Sequence, residues 1–208
     1  MKVLIYGHSQ AQPTGMGDDM VKALGKLKVG VKRVGIQGKN DGQLLKLLPD
    51  RVGDISGYDK VLLYGYGNDS TKEQTQKLVQ YLGPQRTILI IPPINLDRVV
   101  EGTTPEARLE RQKQRVVELK ALLGIPVYGI WGYKKDFKSD IIHMRPGSQA
   151  GAALVPYLLA ELGLQTPPPD VQEGSALGSV LLVAGAALVG FMLARRNRAR
   201  PPLARMRD

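Results

Sequence analysis

The chain of 208 residues contains no cysteine. A disulfide and a cysteine-ligated metal centre are therefore both excluded. Histidine is nearly absent too, with only His8 and His143. A His-rich zinc site lacks its material, so no metal or other cofactor is expected, and Ser–His chemistry has few ways to be built. The first loop, GHSQAQPTGMGDD, holds neither a P-loop nor a GxGxxG turn, which counts against nucleotide binding. The amino-terminal stretch has one lysine and then four apolar residues before Gly7. That is too short for the apolar centre of an export signal. No internal repeat is visible.

What is present begins with charge. The net charge is +10, spread unevenly. Residues 195–208 carry six arginines and one aspartate, hence +5, and the other 194 residues carry the remaining +5. A tail this basic fits anionic lipid or nucleic acid as its neighbour, or a solubilising flank to an apolar segment.

The body alternates between two periodicities. Strand-like apolar runs are Lys2 to Tyr6, Val31 to Ile36, Lys60 to Tyr66, Thr87 to Ile91 and Pro126 to Trp131. Helical stretches lie between them: Gly17 to Leu27, Gly42 to Leu48 ended by Pro49, and two opened by capping-box pairs. The pairs are Ser70 with Glu73, for a helix to Leu82, and Thr103 with Glu106, for one to about Leu123. A last helix runs from Ser148 to Leu162. Continuously apolar strands separated by helices imply a parallel sheet covered on both faces. The expectation is an α/β, flavodoxin-like three-layer α/β/α domain over 1–162. Its sheet has five parallel strands in the order 2-1-3-4-5.

Residues 163–175, GLQTPPPDVQEGS, hold three consecutive prolines and read as a semi-rigid linker. Residues 176–194 carry no charge and the arginine tail, 195–208, follows at once. With Ser175 this is about the length a bilayer core requires. The expectation is a C-terminal transmembrane helix, so a single-pass membrane protein with its partner bilayer at 176–194. A buried core helix fits less well, because the α/β core is complete before it.

In an open α/β sheet, ligands bind beyond the carboxyl ends of the strands. Ser9 follows strand one, Gly38 strand two, Asn68 strand three, and Asp140 and His143 strand five. A serine hydroxyl needs an adjacent base, and His143 is the sensible one, since His8 neighbours Ser9 and points the other way. Asp140, three residues before His143, can reach the imidazole Nδ1 within one turn. An oxyanion would need donors: the backbone N–H groups of Ser9 and Gly38 and the side-chain amide of Asn68. The loop from Pro92 to Thr104 carries Asn95 and Arg98, which with His8 are candidates for a pocket wall.

Four short blocks, in this order, resemble the SGNH (GDSL) esterase/lipase family: YGHSQ, VGIQGKN, YGND and SDIIHMRPGSQAGAALVPYLLAEL. The resemblance implies a flavodoxin-like fold and metal-free ester hydrolysis. Ser9 would be the nucleophile, with Asp140 and His143 completing the triad and Gly38 and Asn68 as oxyanion donors. Three positions depart from the family pattern. His8 stands for an aspartate, Tyr66 for a glycine and Met144 for a proline.

Few aromatics (5%) and no large apolar insertion leave little surface for a long acyl chain. A short acyl group, acetyl on a carbohydrate or cell-envelope glycan, is the better expectation. A second reading is an inactive SGNH-like binding module, for example in a bacteriophage virion membrane.

Overall fold

The computed structural model describes residues 1–140 and 142–166, and the backbone of Val180 and Leu181. The linker from residue 167 onward, the rest of the expected membrane span and the arginine tail lie outside the described residues. Among the described residues no helix is long and apolar enough to cross a membrane. Val180–Leu181, within that span, is a two-residue strand.

Strands β1 (Lys2–Gly7), β2 (Gly30–Gly35), β3 (Lys60–Tyr64), β4 (Thr87–Ile90), β5 (Ile94–Asn95) and β6 (Val127–Gly132) all pair in parallel. The main order is β2-β1-β3-β4-β6. The sheet therefore has six parallel strands rather than five. The Tyr128 and Gly132 carbonyls accept from Ile91 and Leu96, each at 2.9 Å. Carbonyls four apart point to the same edge, so β5 prolongs β4 along β6 beyond the Pro92-Pro93 break. On the opposite edge, β7 (Val180–Leu181) pairs antiparallel with β6.

Helices α1 (Gly17–Lys26), α2 (Asp41–Val52), α3 (Lys72–Leu82), α4 (Pro105–Leu123) and α5 (Gln149–Glu161) cover both faces. Alternation along each strand sorts the core into two halves. Val3, Ile5, Leu62, Tyr64, Ile88 and Ile90 pack with Met20 and Leu24 of α1 and Leu154 and Leu158 of α5. Leu4, Val61, Leu63 and Leu89 pack with Leu44 and Leu48 of α2, Leu78 of α3, and Val116 and Leu119 of α4. The chain steps from β1 outward to β2 through α1, then back past β1 to β3 through α2. Right-handed crossovers in opposite directions put those helices on opposite faces. The reversal between β1 and β3 is the switch point where a doubly wound sheet opens a ligand crevice.

Local boundaries differ from expectation in instructive ways. Helix α2 runs through Pro49 to Val52. Pro49 is exposed, so the carbonyl it leaves unpaired one turn back faces water. Its start is also earlier, because Asn40 and Gln43 form a capping box. The α3 box is Thr71 with Gln74, one residue past the expected pair. Thr104, followed by Pro105 at the first helical position, caps α4. Strand β3 stops at Tyr64 because Tyr66 takes a left-handed backbone, φ 58°.

Candidate active site

The site begins where β1 ends. Gly7 has φ 149°, and a Cβ there would lie 2.1 Å from the Tyr64 carbonyl oxygen. Only glycine lets the chain turn so close to β3. The next N–H, of His8, then donates to that same Tyr64 oxygen at 3.1 Å. Ser9 opens a 3-10 turn, Ser9–Ala11, which packs on the end of β2 at Gly35. The first N–H groups of such a turn have no partner inside it. The Ser9 amide is thus set at the crevice with its hydroxyl.

His143 arrives from β6, three strands away in the sheet. Its loop folds back on itself. Lys138 N–H donates to the His143 carbonyl and Arg145 N–H to the Asp136 carbonyl, both at 2.8 Å. Phe137 and Met144 pair across this fold and are fully buried in the α1–α5 half of the core. Met144, in the family's proline place, therefore anchors the loop. The Gly147 N–H also donates to Asp19 of α1 at 2.7 Å. The return leg is thus tied at three points.

The outcome is a hydrogen-bonded line. Asp140 Oδ1 accepts the backbone N–H of Ile142 (3.0 Å) and of His143 (2.9 Å). Its Oδ2 lies 2.6 Å from His143 Nδ1. His143 Nε2 lies 2.7 Å from Ser9 Oγ. A carboxylate accepts only, so Nδ1 carries the proton and Nε2 accepts from the serine hydroxyl. Burial works to raise the Asp140 carboxyl, but the His143 and Ile142 hydrogen bonds outweigh it and hold the group down to about 2.

Gly38 and Asn68 stand side by side on the other flank. The register sets Gly7 between Gly35 of β2 and Tyr64 of β3, so both following connections leave beside Ser9. Asn68 Nδ2 donates to the Lys39 carbonyl at 2.9 Å, next to Gly38. That bond uses one of two amide hydrogens. Gly38 is exposed with φ 68°. Tyr66, Asn68 and Asp69 are all non-glycine residues at positive φ, 58°, 51° and 61°. Such a run costs on the order of 1–3 kcal/mol per residue and persists only where its surroundings impose it.

What imposes it is Asp41, which sequence reasoning missed. Asp41 is fully buried. Its carboxylate accepts the Tyr66 N–H through both oxygens (2.9 and 3.1 Å) and the Thr75 hydroxyl. Its own N–H donates to Ser70 Oγ at 2.9 Å, and Ser70 donates to the Gly67 carbonyl at 2.5 Å. The Asn40–Gln43 cap was the available signal, since it makes Asp41 the first helical residue.

The remaining expected residues part ways. His8 is 3% exposed, so it is not a pocket wall. Its Nε2 lies under Gly67 and Pro92, where a Cβ on Gly67 would come within 2.9 Å of it. Its Nδ1 accepts a long bond (3.5 Å) from Gln10 N–H, capping the serine turn as an aspartate would. Burial lowers its pKa to about 4, with His143 nearby acting in the same direction. Asn95 and Arg98 do line a cleft, between the β4–α4 connection and α4. Among the described residues no group of acidic or histidine side chains could hold a metal ion.

Hydroxyl, imidazole and carboxylate in line at the switch point of a doubly wound sheet are the arrangement of a serine-type hydrolase. Solved structures similar to this fold include lipases and esterases. A lipase/acylhydrolase from Enterococcus faecalis is 20% identical over 81% of this chain and 99% of its own, with TM-score 0.56. An acetylxylan esterase from Geobacillus stearothermophilus is 18% identical over 79% and 94%, with TM-score 0.57. A variant acetyl-xylooligosaccharide esterase from a Geobacillus is 17% identical over 81% and 97%, with TM-score 0.58. The chain thus has the fold of these lipases and acetylxylan esterases over most of its length, as the SGNH resemblance implied. By sequence, no family model and no curated protein matches it.

Proposed function

We propose that the chain is a serine esterase that removes short acyl groups, acetyl foremost, from a carbohydrate. The observation that carries this reading is the Asp140–His143–Ser9 line, with 2.6 and 2.7 Å links. His143 takes the Ser9 proton as the hydroxyl attacks the ester carbonyl. The carbonyl oxygen gains negative charge and is met by the Ser9 and Gly38 N–H groups and the Asn68 amide. Protonated His143, held in its tautomer by Asp140, gives the proton to the leaving alcohol oxygen. An acyl-serine remains. Water, deprotonated by His143, then attacks it, and the carboxylic acid leaves as His143 returns the proton to Ser9 Oγ. No step needs a metal. Acetyl is favoured by the few aromatics of the chain and by likeness to acetylxylan esterases.

We further propose that residues 176–194 are a membrane anchor, supported by their lack of charge and the arginines that follow; in a bilayer, Val180–Leu181 would leave the edge of β6. The arginine tail that follows would lie against anionic lipid or nucleic acid, with the orientation of the span, in a cell or a virion membrane, left open.

The test is turnover of p-nitrophenyl acetate by the full chain in detergent. Wild type should hydrolyse it and react with a fluorophosphonate at Ser9. Ser9→Ala should lose both with an unchanged melting temperature. Equal activity in parent and variant sinks the nucleophile.

A further inference from the structure

Against the loop that bears His143 lies a cleft of about 450 Å³. Ile142, the neighbour of His143, forms one wall. Pro93 forms another, next to Pro92, which like His8 Nε2 lies against Gly67. The cleft therefore adjoins the loop that carries His143.

Its lining is lopsided in charge. Arg98, Arg108, Arg111 and Arg115 all face it, and no lining residue is acidic. Residues 108, 111 and 115 follow the three- and four-residue spacing of one helix face on α4, and Arg98 comes from the loop across from them. Arg108 is committed to structure, since its two terminal nitrogens donate to the Arg98 and Asn95 carbonyls. Its Nε is buried without a hydrogen-bond partner. Arg111 and Arg115 are exposed. Glu118, the acid near Arg115, is bridged to Lys72 at 2.8 Å. Gathering four guanidinium groups around one cavity is electrostatically unfavourable when it is empty. A bound anion reverses the sign of that interaction, and the planar guanidinium fork matches a carboxylate.

We propose that this cleft binds a carboxylate carried by the sugar part of the ester. The substrate is then an acetylated acidic glycan, such as one built from uronate units, rather than a neutral xylan. This rests on the esterase reading for its catalytic half only.

Two measurements on the full chain in detergent test it. The first compares kcat/KM for O-acetylated oligogalacturonate with that for acetylated xylo-oligosaccharide. The acidic substrate should be favoured at least tenfold at low salt, mainly through KM, and the advantage should shrink as salt rises. The double reversal Arg111→Glu, Arg115→Glu should abolish the preference. Lys77→Glu, an exposed charge on α3, should keep it. The second titrates Ser9→Ala protein with unacetylated trigalacturonate and with xylotriose by calorimetry. Only trigalacturonate should bind, and the double reversal should remove that binding. Equal kcat/KM with no trigalacturonate binding overturns the cleft, as does a preference that survives the reversal. The two readings fail separately. A parent that turns over p-nitrophenyl acetate without anion preference keeps the esterase and loses the cleft. An inert parent that binds trigalacturonate through Arg111 and Arg115 does the opposite.

Discussion

Asp41 grips the Tyr66 amide with both carboxylate oxygens, at 2.9 and 3.1 Å. Asp41 begins α2 and Tyr66 lies in the β3–α3 connection, so the bond locks the loop bearing Asn68 to the helix that follows Gly38. Burial raises the Asp41 carboxyl above the usual carboxylate range, against the hydrogen bonds of Thr75, Tyr66 and Ser70. Replacing it with alanine leaves the part-buried Tyr66 N–H without its acceptor and the Thr75 hydroxyl with only the Thr71 carbonyl. Asp41→Ala should lose about 2–4 kcal/mol of stability by urea titration. Its kcat should drop at least about tenfold as Asn68 loses its fixed place. An Asp41→Ala protein with parental kcat would show that the clamp does not position the loop.

In the proposed esterase, Asn68 supplies one side-chain donor to the developing oxyanion. Asn68→Ala should lower kcat by about 10²–10³-fold with little change in KM, as the loss of one such donor typically does. A change confined to KM would instead make Asn68 a ground-state contact. Steady-state kinetics on p-nitrophenyl acetate distinguish the two.

Asp140 fixes the imidazole. Asp140→Asn keeps the size but removes the charge, and should lower kcat by about 10²–10⁴-fold. With its carboxyl held near 2, Asp140 remains ionised well into acid. The acid limb of the wild-type pH–rate profile should therefore carry no ionisation from Asp140 in the ordinary carboxylate range. An ionisation near pH 4 that persists in His8→Asn would mean that Asp140 titrates as an unpaired carboxylate. The stability linked to Asp140 is present above its ordinary 3.8 and is lost as pH falls through about 2. Its exposure keeps that contribution small.

His8 gives a stability signal of its own. Its folded value is depressed from 6.5 to about 4. Between those values the unfolded chain binds the proton and the folded one does not, so stability falls as pH is lowered through that window. The decrease amounts to on the order of 3 kcal/mol. His8→Asn retains a capping acceptor without a titrating ring, and should flatten the dependence of unfolding free energy on pH between 6.5 and 4. An unchanged slope in that variant would assign the dependence to another group.

The layout of the domain was largely legible because strands and helices are written in contacts two, three and four residues apart. Val3, Ile5, Leu4 and Tyr6 announce a strand buried on both faces before any partner is known. Boundaries were less legible where two chemistries compete. Pro49 reads as a stop, yet an exposed proline costs a helix little when the freed carbonyl meets water. Ser70 and Glu73 have capping-box spacing, yet Thr71 and Gln74 close the box, since Ser70 is taken by Asp41 and Gly67.

The sequence by itself determined which groups were available for chemistry. With two histidines and no cysteine, Ser9, His143 and the aspartate three residues before it could be singled out by elimination and spacing. Only the tertiary structure decided how they meet, because Ser9 and His143 are 134 residues apart. The fold-back of the β6–α5 loop, seated by Phe137 and Met144, closes that gap. The same holds for Asp41 beneath Tyr66, His8 beneath Gly67, and the arginines that converge from α4 and the loop before it. Each is a contact between distant segments, set by packing and burial rather than by periodicity. A sequence pattern can name such residues but cannot place them together.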